Sequence, residues 1–215
     1  MSRTDRLALR PLALGLVIGL ALVSVERGEA QRAAAGPPDW PCVQRLIPEL
    51  AWGTLWTGPP LDELEQAWWE DEEVGRVARF ATARSTSEEQ ALERVRDFVD
   101  SVDEEEAERR LTLLFAGLFE LTDRERRRTI EGIRQASRAQ MTRLDTISTM
   151  VDELEARRAE EGADEAEIER LSEALFWEQR TFQHRQQALP AMCDQPYLLE
   201  ERLARMVRVI MEGMP

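Results

Sequence analysis

Apolar residues recur every three or four positions along most of the chain from Leu61 onward. This spacing is typical of amphipathic helices, and we find no stretch that alternates apolar and polar residues as a half-buried strand does. The run 111–121 (LTLLFAGLFEL) is apolar on most of its circumference. A helix that is apolar nearly all round lies in the middle of a core. The sequence therefore predicts an all-α protein with a helical body over 61–121.

Capping residues predict where the helices begin. Residues 86–90 (TSEEQ) contain two overlapping capping boxes, and Asp103 with Glu106 starts the next helix. A further box over 122–125 (TDRE) predicts that a new, long helix starts there and runs over 123–161.

A heptad-like seam follows on this long helix, with spacing that alternates between three and four. Its positions are Ile130, Ile133, Ser137, Gln140, Leu144, Ile147, Val151 and Leu154. After a break at Gly162, a matching seam comprises Ile168, Leu171, Leu175, Phe182 and Leu189. The two seams predict a long projecting antiparallel helical hairpin, coiled-coil-like, over 122–189 on a helical bundle. Proline at 190 and 196 predicts a loop and then a separate C-terminal helix within 190–215.

The N-terminus has the pattern of an export signal. Three arginines precede an apolar run over 12–25, and the small residues Gly28 and Ala30 follow it. This order predicts a signal peptide over 1–30 that is cleaved before Gln31. A retained membrane anchor is the alternative interpretation, because apolar residues also precede Arg10.

Residues 31–60 form a lead segment rich in proline and tryptophan. Proline this dense breaks long helices, so we expect an extended segment. Its three tryptophans, Trp40, Trp52 and Trp56, are expected to anchor it against the helical body. The alternative is that they form an aromatic patch for a ligand or a partner.

The chain has two cysteines, Cys42 and Cys193. In an exported protein a single pair predicts a disulfide, which here would close the fold from the lead segment to the C-terminal region. Two free thiols or a metal pair are the alternatives.

Charge excludes several classes of function. The formal net charge is −14, and all 28 basic residues are arginine. An acidic chain lacks the basic footprint of non-specific nucleic-acid binding, and without lysine neither Schiff-base chemistry nor a P-loop lysine is possible. The single histidine, His184, excludes any site built from two histidines. We expect no cofactor.

Two kinds of site chemistry remain as alternatives. Glu120, at the end of the apolar run, could serve carboxylate chemistry of a cell-envelope hydrolase or lyase if its pKa were raised. His184, Met192 and Cys193 could carry copper, since soft sulfur ligands suit Cu(I). Neither set matches a known motif spacing, and no catalytic constellation is found.

Two charge clusters are candidate partner-binding sites. Arginines at 124 and 126–128 crowd the predicted first turn of the long helix, where the macrodipole disfavours cations, and Arg126 and Arg127 are the candidates there. Around the predicted turn, residues 152–169 hold nine acids and two arginines. The candidates at this tip are Glu160, Glu161, Asp164 and Glu165. The three tryptophans of the lead segment, Trp40, Trp52 and Trp56, are further candidates for binding a partner.

These features together predict an exported, non-enzymatic accessory, adaptor or scaffold protein of the periplasm or cell envelope. Its expected partner is another envelope or membrane-complex protein, or a second copy docked through the hairpin. Nucleic acid is not expected as a partner. Membrane contact is expected only if the N-terminal segment is retained.

Overall fold

The computed structural model describes residues 36–215, so the predicted signal peptide or anchor lies outside the described residues. The described part is all-helical, as predicted, and residues 36–215 contain no strand. Its four α-helices are α1 (Glu72–Thr82), α2 (Glu88–Ser101), α3 (Glu104–Ala159) and α4 (Glu165–Glu212). Two short 3₁₀ turns, Trp52–Thr54 and Leu61–Glu63, interrupt the segment before α1.

The first two helices begin at side-chain caps. The Asp71 carboxylate accepts the backbone N–H groups of Glu73 and Val74 at 3.2 and 3.1 Å, which satisfies two of the free donors at the start of α1. At α2, the predicted capping box is present: the Ser87 hydroxyl accepts the N–H of Gln90, and the Gln90 side chain accepts the N–H of Ser87.

The long helix α3 runs without interruption through the predicted boundary at 122–123, so that boundary is wrong. The capping residues are used in tertiary contacts instead. Asp123 is buried in mid-helix, and its carboxylate accepts the backbone N–H of Leu50 from the lead segment at 3.2 Å. With 56 residues, α3 is about 84 Å long.

Helix α4 likewise continues through Pro190 and Pro196, where the sequence predicts a loop and a separate C-terminal helix. Proline removes a helix hydrogen bond and clashes with the preceding turn, which usually ends or kinks a helix. Leu189 and Pro196 are both buried and are seven residues apart, so a helix through this stretch keeps both on one packed face. That packing outweighs the local cost.

The core of the body is centred on α3. Five of its side chains between 111 and 118 are completely buried, as the apolar run predicts: Leu111, Leu113, Leu114, Phe115 and Leu118. Helices α1, α2 and the end of α4 all contribute residues to this cluster. Gly117 lets the Trp68 ring approach α3, because a Cβ there would lie 2.9 Å from that ring.

An ion pair at the edge of this core connects the three body helices. Arg110 of α3 donates to the Asp71 carboxylate at 2.9 Å and to Glu73 at 2.8 Å, at the start of α1. Its guanidinium also lies over the Phe98 ring of α2, 5.0 Å from the ring centre. Burial opposes ionisation of Asp71, but hydrogen bonds from Arg110 and from the backbone hold the pKa of this carboxyl below its ordinary value.

We expect Asp71→Ala to lower the free energy of unfolding by about 1–3 kcal/mol, because it removes a helix cap and leaves Arg110 with one carboxylate partner. Because the pKa of Asp71 is lower in the folded state, the ionised carboxylate stabilises the native state fully above about pH 4, the ordinary pKa range of Asp. This contribution is lost as pH falls through the lowered pKa, so the variant should lose less stability than the wild type on acidification. Urea unfolding at neutral and acidic pH measures both effects. Asp97→Ala, on the exposed side of α2, is the control and should change neither.

The two long helices run antiparallel and contact each other well beyond the body. The turn between them contains Gly162, whose φ of +78° is a conformation that favours glycine. Across the pair, the Gln140 side chain donates to the backbone oxygen of Phe182 at 3.1 Å, and Arg143 pairs with Glu178. A second apolar cluster lies between these contacts and the turn, around Ile147, Leu154 and Leu175.

The predicted seam of α3 is interrupted at one position. Ser137, Gln140 and Ile147 are buried, but Leu144 is more than half exposed. Arg143 turns toward α4 to reach Glu178, and Leu144, about 100° further round the helix, is turned outward. The described residues offer no hydrogen-bond donor to the buried Oε1 of Gln140. This stretch of the two-helix contact is therefore polar, between two apolar clusters.

Candidate interaction surface

The described part of the lead segment, residues 36–60, is fixed to the helices toward each of its ends. Trp56 is buried, stacks on Phe115 with ring centres 4.3 Å apart, and donates its indole N–H to Pro59 at 2.7 Å. At the other end, Cys42 is bonded to Cys193 with Cα atoms 5.6 Å apart, so the predicted disulfide is confirmed. A disulfide is consistent with an oxidising compartment.

Ion pairs and hydrogen bonds also hold residues just before and between these two anchors. Asp39 accepts from Arg134 at 3.0 Å and also from Arg138. The hydrogen bond from Arg134 is the main reason that the pKa of Asp39 lies below its ordinary value, with Arg138 adding to it against the desolvation of the carboxyl. The Pro48 carbonyl accepts from Arg126 at 3.4 Å. Residues 39–56 are thus attached to α3 and α4 by several independent contacts.

Removing the disulfide with Cys42→Ser and Cys193→Ser should lower the free energy of unfolding by about 3–5 kcal/mol. The disulfide links cysteines that are 151 residues apart, and without it the unfolded chain gains conformational entropy. Loss of this anchor should also accelerate trypsin cleavage after exposed Arg45, relative to Arg96 in α2. Thermal unfolding and limited proteolysis measure the two effects. Unchanged cleavage at Arg45 would show that the other contacts hold the segment alone.

The predicted aromatic candidates have different environments. Trp56 lies in the core, so its ring is not offered to a partner. Trp52 is partly buried against the same core, and Trp40 is half-buried with its N–H donated to Gln44 at 2.7 Å. The structure therefore uses at least two of the three tryptophans to hold the lead segment.

The arginine cluster lies in the middle of α3, so the expected macrodipole penalty does not apply. Arg126 is only 3% exposed and pairs with Glu200 of α4, which makes it an internal contact. Arg127 stays on the surface and pairs with Asp123 at 3.1 Å. Neighbouring acids therefore compensate both candidate arginines.

The acidic candidates at the turn are exposed. Asp164 also has a structural role, because it caps α4 by accepting the N–H of Ala166 at 3.0 Å. Glu160 pairs with Arg157 at 3.3 Å. Glu161 and Glu165 form no ion pair among the described residues, so the turn presents uncompensated negative charge to solvent.

The candidate enzyme and copper residues are not brought into sites. Glu120 accepts the Trp68 indole N–H at 2.8 Å and pairs with Arg124. A cleft of about 280 Å³ lies nearer the start of α3, and Glu120 does not line it. His184 and Met192 are about 12 Å apart along one continuous helix, and the Cys193 thiol is oxidised. Residues 36–215 contain no group of three or more His, Cys, Asp or Glu side chains placed to hold a metal ion.

The structure shows a surface that sequence reasoning missed. Six large apolar side chains of the two long helices are about half exposed. Tyr197 and Leu198 lie in the last part of α4, and the other four lie between 141 and 177: Met141 52%, Leu144 53%, Phe176 55% and Trp177 58%. The Phe176 and Trp177 rings meet edge to face, 5.3 Å apart. We call these four residues the aromatic surface.

Three of these residues lie on one flank of the helix pair. Arg143 and Glu178 contact each other and mark the opposite flank. Met141 lies two residues before Arg143, and Phe176 lies two residues before Glu178. Two residues correspond to a rotation of about 200° round a helix. Met141 and Phe176 therefore share the other flank, with Leu144 next to Met141 at helical spacing. Trp177 extends the surface outward on α4.

Charge is sparse on the α3 side of this surface. Between 139 and 151 the only charged residues are Arg143 and Asp145, in a chain in which 33% of residues are charged. A sequence signal for the surface does exist: Leu175, Phe176 and Trp177 are consecutive. Because three consecutive residues of a helix span about 200°, they cannot all face one partner helix.

No family model matches the chain, and no curated protein or solved structure matches it either. Within residues 36–215, none of the helices has a stretch that is long and apolar enough to cross a membrane.

Proposed function

We propose that this protein is an exported, non-enzymatic accessory protein that binds another protein chain through the aromatic surface, in the periplasm or cell envelope. The half-exposed cluster of Met141, Leu144, Phe176 and Trp177 supports this proposal most directly. The disulfide is consistent with the oxidising compartment that export would give.

The chemistry of the aromatic surface suits a protein contact. Aromatic side chains are enriched among the residues that dominate binding energy, since they bury a large apolar area with few rotatable bonds. Burial of apolar area contributes roughly 25 cal/mol per Å². The low charge between 139 and 151 of α3 reduces the desolvation cost of covering Met141 and Leu144.

The shape of the two long helices supports the same function. From Leu118, at the end of the buried run, α3 continues for about 60 Å to its last residue, Ala159. We infer that the outer parts of α3 and α4 act as a projecting, coiled-coil-like hairpin. A partner could then cover the aromatic surface without touching the body.

A photo-crosslinking amino acid at position 177 tests the proposal in the native cell. We expect a covalent adduct heavier than the monomer, because the Trp177 side chain would lie within a protein contact. The matched control is the same amino acid at position 69: Trp69 is similarly exposed at 55% and lies beside Trp68 in the body. Absence of an adduct from position 177, or equal adducts from both positions, would contradict the proposal.

Reversing the charge of the tip gives a second prediction. Glu160→Arg with Glu161→Arg should weaken recovery of the position-177 adduct, because the exposed acids at the turn would steer and orient a docking partner. The melting temperature should hardly change, since exposed charges contribute little to folding. Thermal unfolding and adduct yield separate the two effects. Full adduct yield would show that the tip is only a solvated turn.

A further inference from the structure

Charge is segregated along the flank that carries Met141 and Phe176. At helical spacing from these residues toward the body lie three arginines, Arg134, Arg138 and Arg180, and one acid, Glu131, which pairs with Arg134 and Arg138. Toward the turn, the residues at the same spacing include Asp152, Glu155, Glu169 and Glu173. One flank thus carries a basic part, an apolar middle and an acidic part, in that order.

The two charged parts are equally distant from the apolar middle. On α4, Glu173 lies three residues before Phe176, and Arg180 lies four residues after it. Because Gln140 contacts Phe182 and Arg143 contacts Glu178, Phe176 lies level with about residue 145 of α3. Arg138 and Asp152 are each seven residues from that level, or about 10 Å in opposite directions.

We propose that the aromatic surface docks a second copy of this chain, antiparallel, about a two-fold axis that passes near Phe176. The proposal rests on the function proposed above and names its partner. A two-fold contact requires a surface that is complementary to itself. This axis places Glu173 of each copy opposite Arg180 of the other, with Phe176 at the centre and Trp177 at the outer edge of the contact.

The apolar middle provides the affinity, and the charges determine the orientation. Arg134 and Arg138 already pair with Asp39 and Glu131 within their own chain, yet their side chains remain 34% and 44% exposed. The acids Asp152, Glu155, Glu169 and Glu173 have no ion-pair partner among the described residues. A parallel arrangement would place acids against acids, so the antiparallel one is favoured.

Sedimentation equilibrium of the purified protein tests the contact. We expect a reversible dimer whose dissociation constant rises by about 30-fold or more in the Phe176→Ser, Trp177→Ser variant, because central aromatic residues dominate such contacts. The control is Phe80→Ser, which removes a 44% exposed aromatic side chain from α1 and should leave the dimer intact. Thermal unfolding should show that both variants remain folded, since the replaced side chains are on the surface.

A charge exchange tests the orientation. Arg180→Glu alone and Glu173→Arg alone should each weaken the dimer by about 5- to 30-fold, since each places two like-charged pairs at the contact. An equal mixture of the two variants should recover close to wild-type affinity, because both pairs of the mixed dimer are again opposite in charge. Arg96→Glu, on exposed α2, should leave the affinity near the wild-type value.

A protein that stays monomeric up to its solubility limit would overturn the inference, as would a dimer that is unaffected by the change at Phe176 and Trp177. Failure of the mixture to recover affinity would overturn the antiparallel orientation. The mass of the position-177 adduct separates the two proposals. An adduct of twice the monomer mass supports both, whereas a different mass, with a monomeric purified protein, supports the proposed function alone.

Discussion

Among residues 36–215, the outer parts of α3 and α4, beyond the contacts of the lead segment, pack against each other, and the rest of the outer structure depends on this constraint. The second apolar cluster contains residues of α3 and α4 alone. Two helices in contact can bury only the facing side of each. Leu175 takes the buried position on α4, so Phe176 and Trp177, the next two residues, must face solvent unless another chain covers them.

The body supplies a fixed base for this pair. The buried run of α3 is surrounded by α1, α2 and the end of α4. At one edge, Arg110 of α3 contacts both α1 and α2. The disulfide and the contacts of Asp39 fasten the lead segment across α3 and α4. Because α3 and α4 are continuous from body to turn, the geometry of the body is transmitted to the aromatic surface by unbroken helices.

Local signals predicted much of this fold, and tertiary contacts account for most of the rest. The capping box at Ser87 and the apolar run of α3 were identifiable because the residues act within a few positions of one another. The box at 122–125 was misleading, since Asp123 bonds the distant Leu50 and not a helix end. The packing of Leu189 and Pro196 carries α4 through two prolines, and no local rule contains that contact.

The exposed aromatic surface is harder to predict, because exposure depends on which side of each helix meets the other. Leu144 occupies a seam position by spacing but is turned outward where Arg143 reaches Glu178. Amide hydrogen exchange at low and high protein concentration tests the central claim most directly. The account predicts slower exchange at high concentration over 139–152 and 170–183, with α1 and α2 unchanged, because a second copy covers only that surface. Exchange that is independent of concentration, or slowed equally throughout the chain, would contradict it.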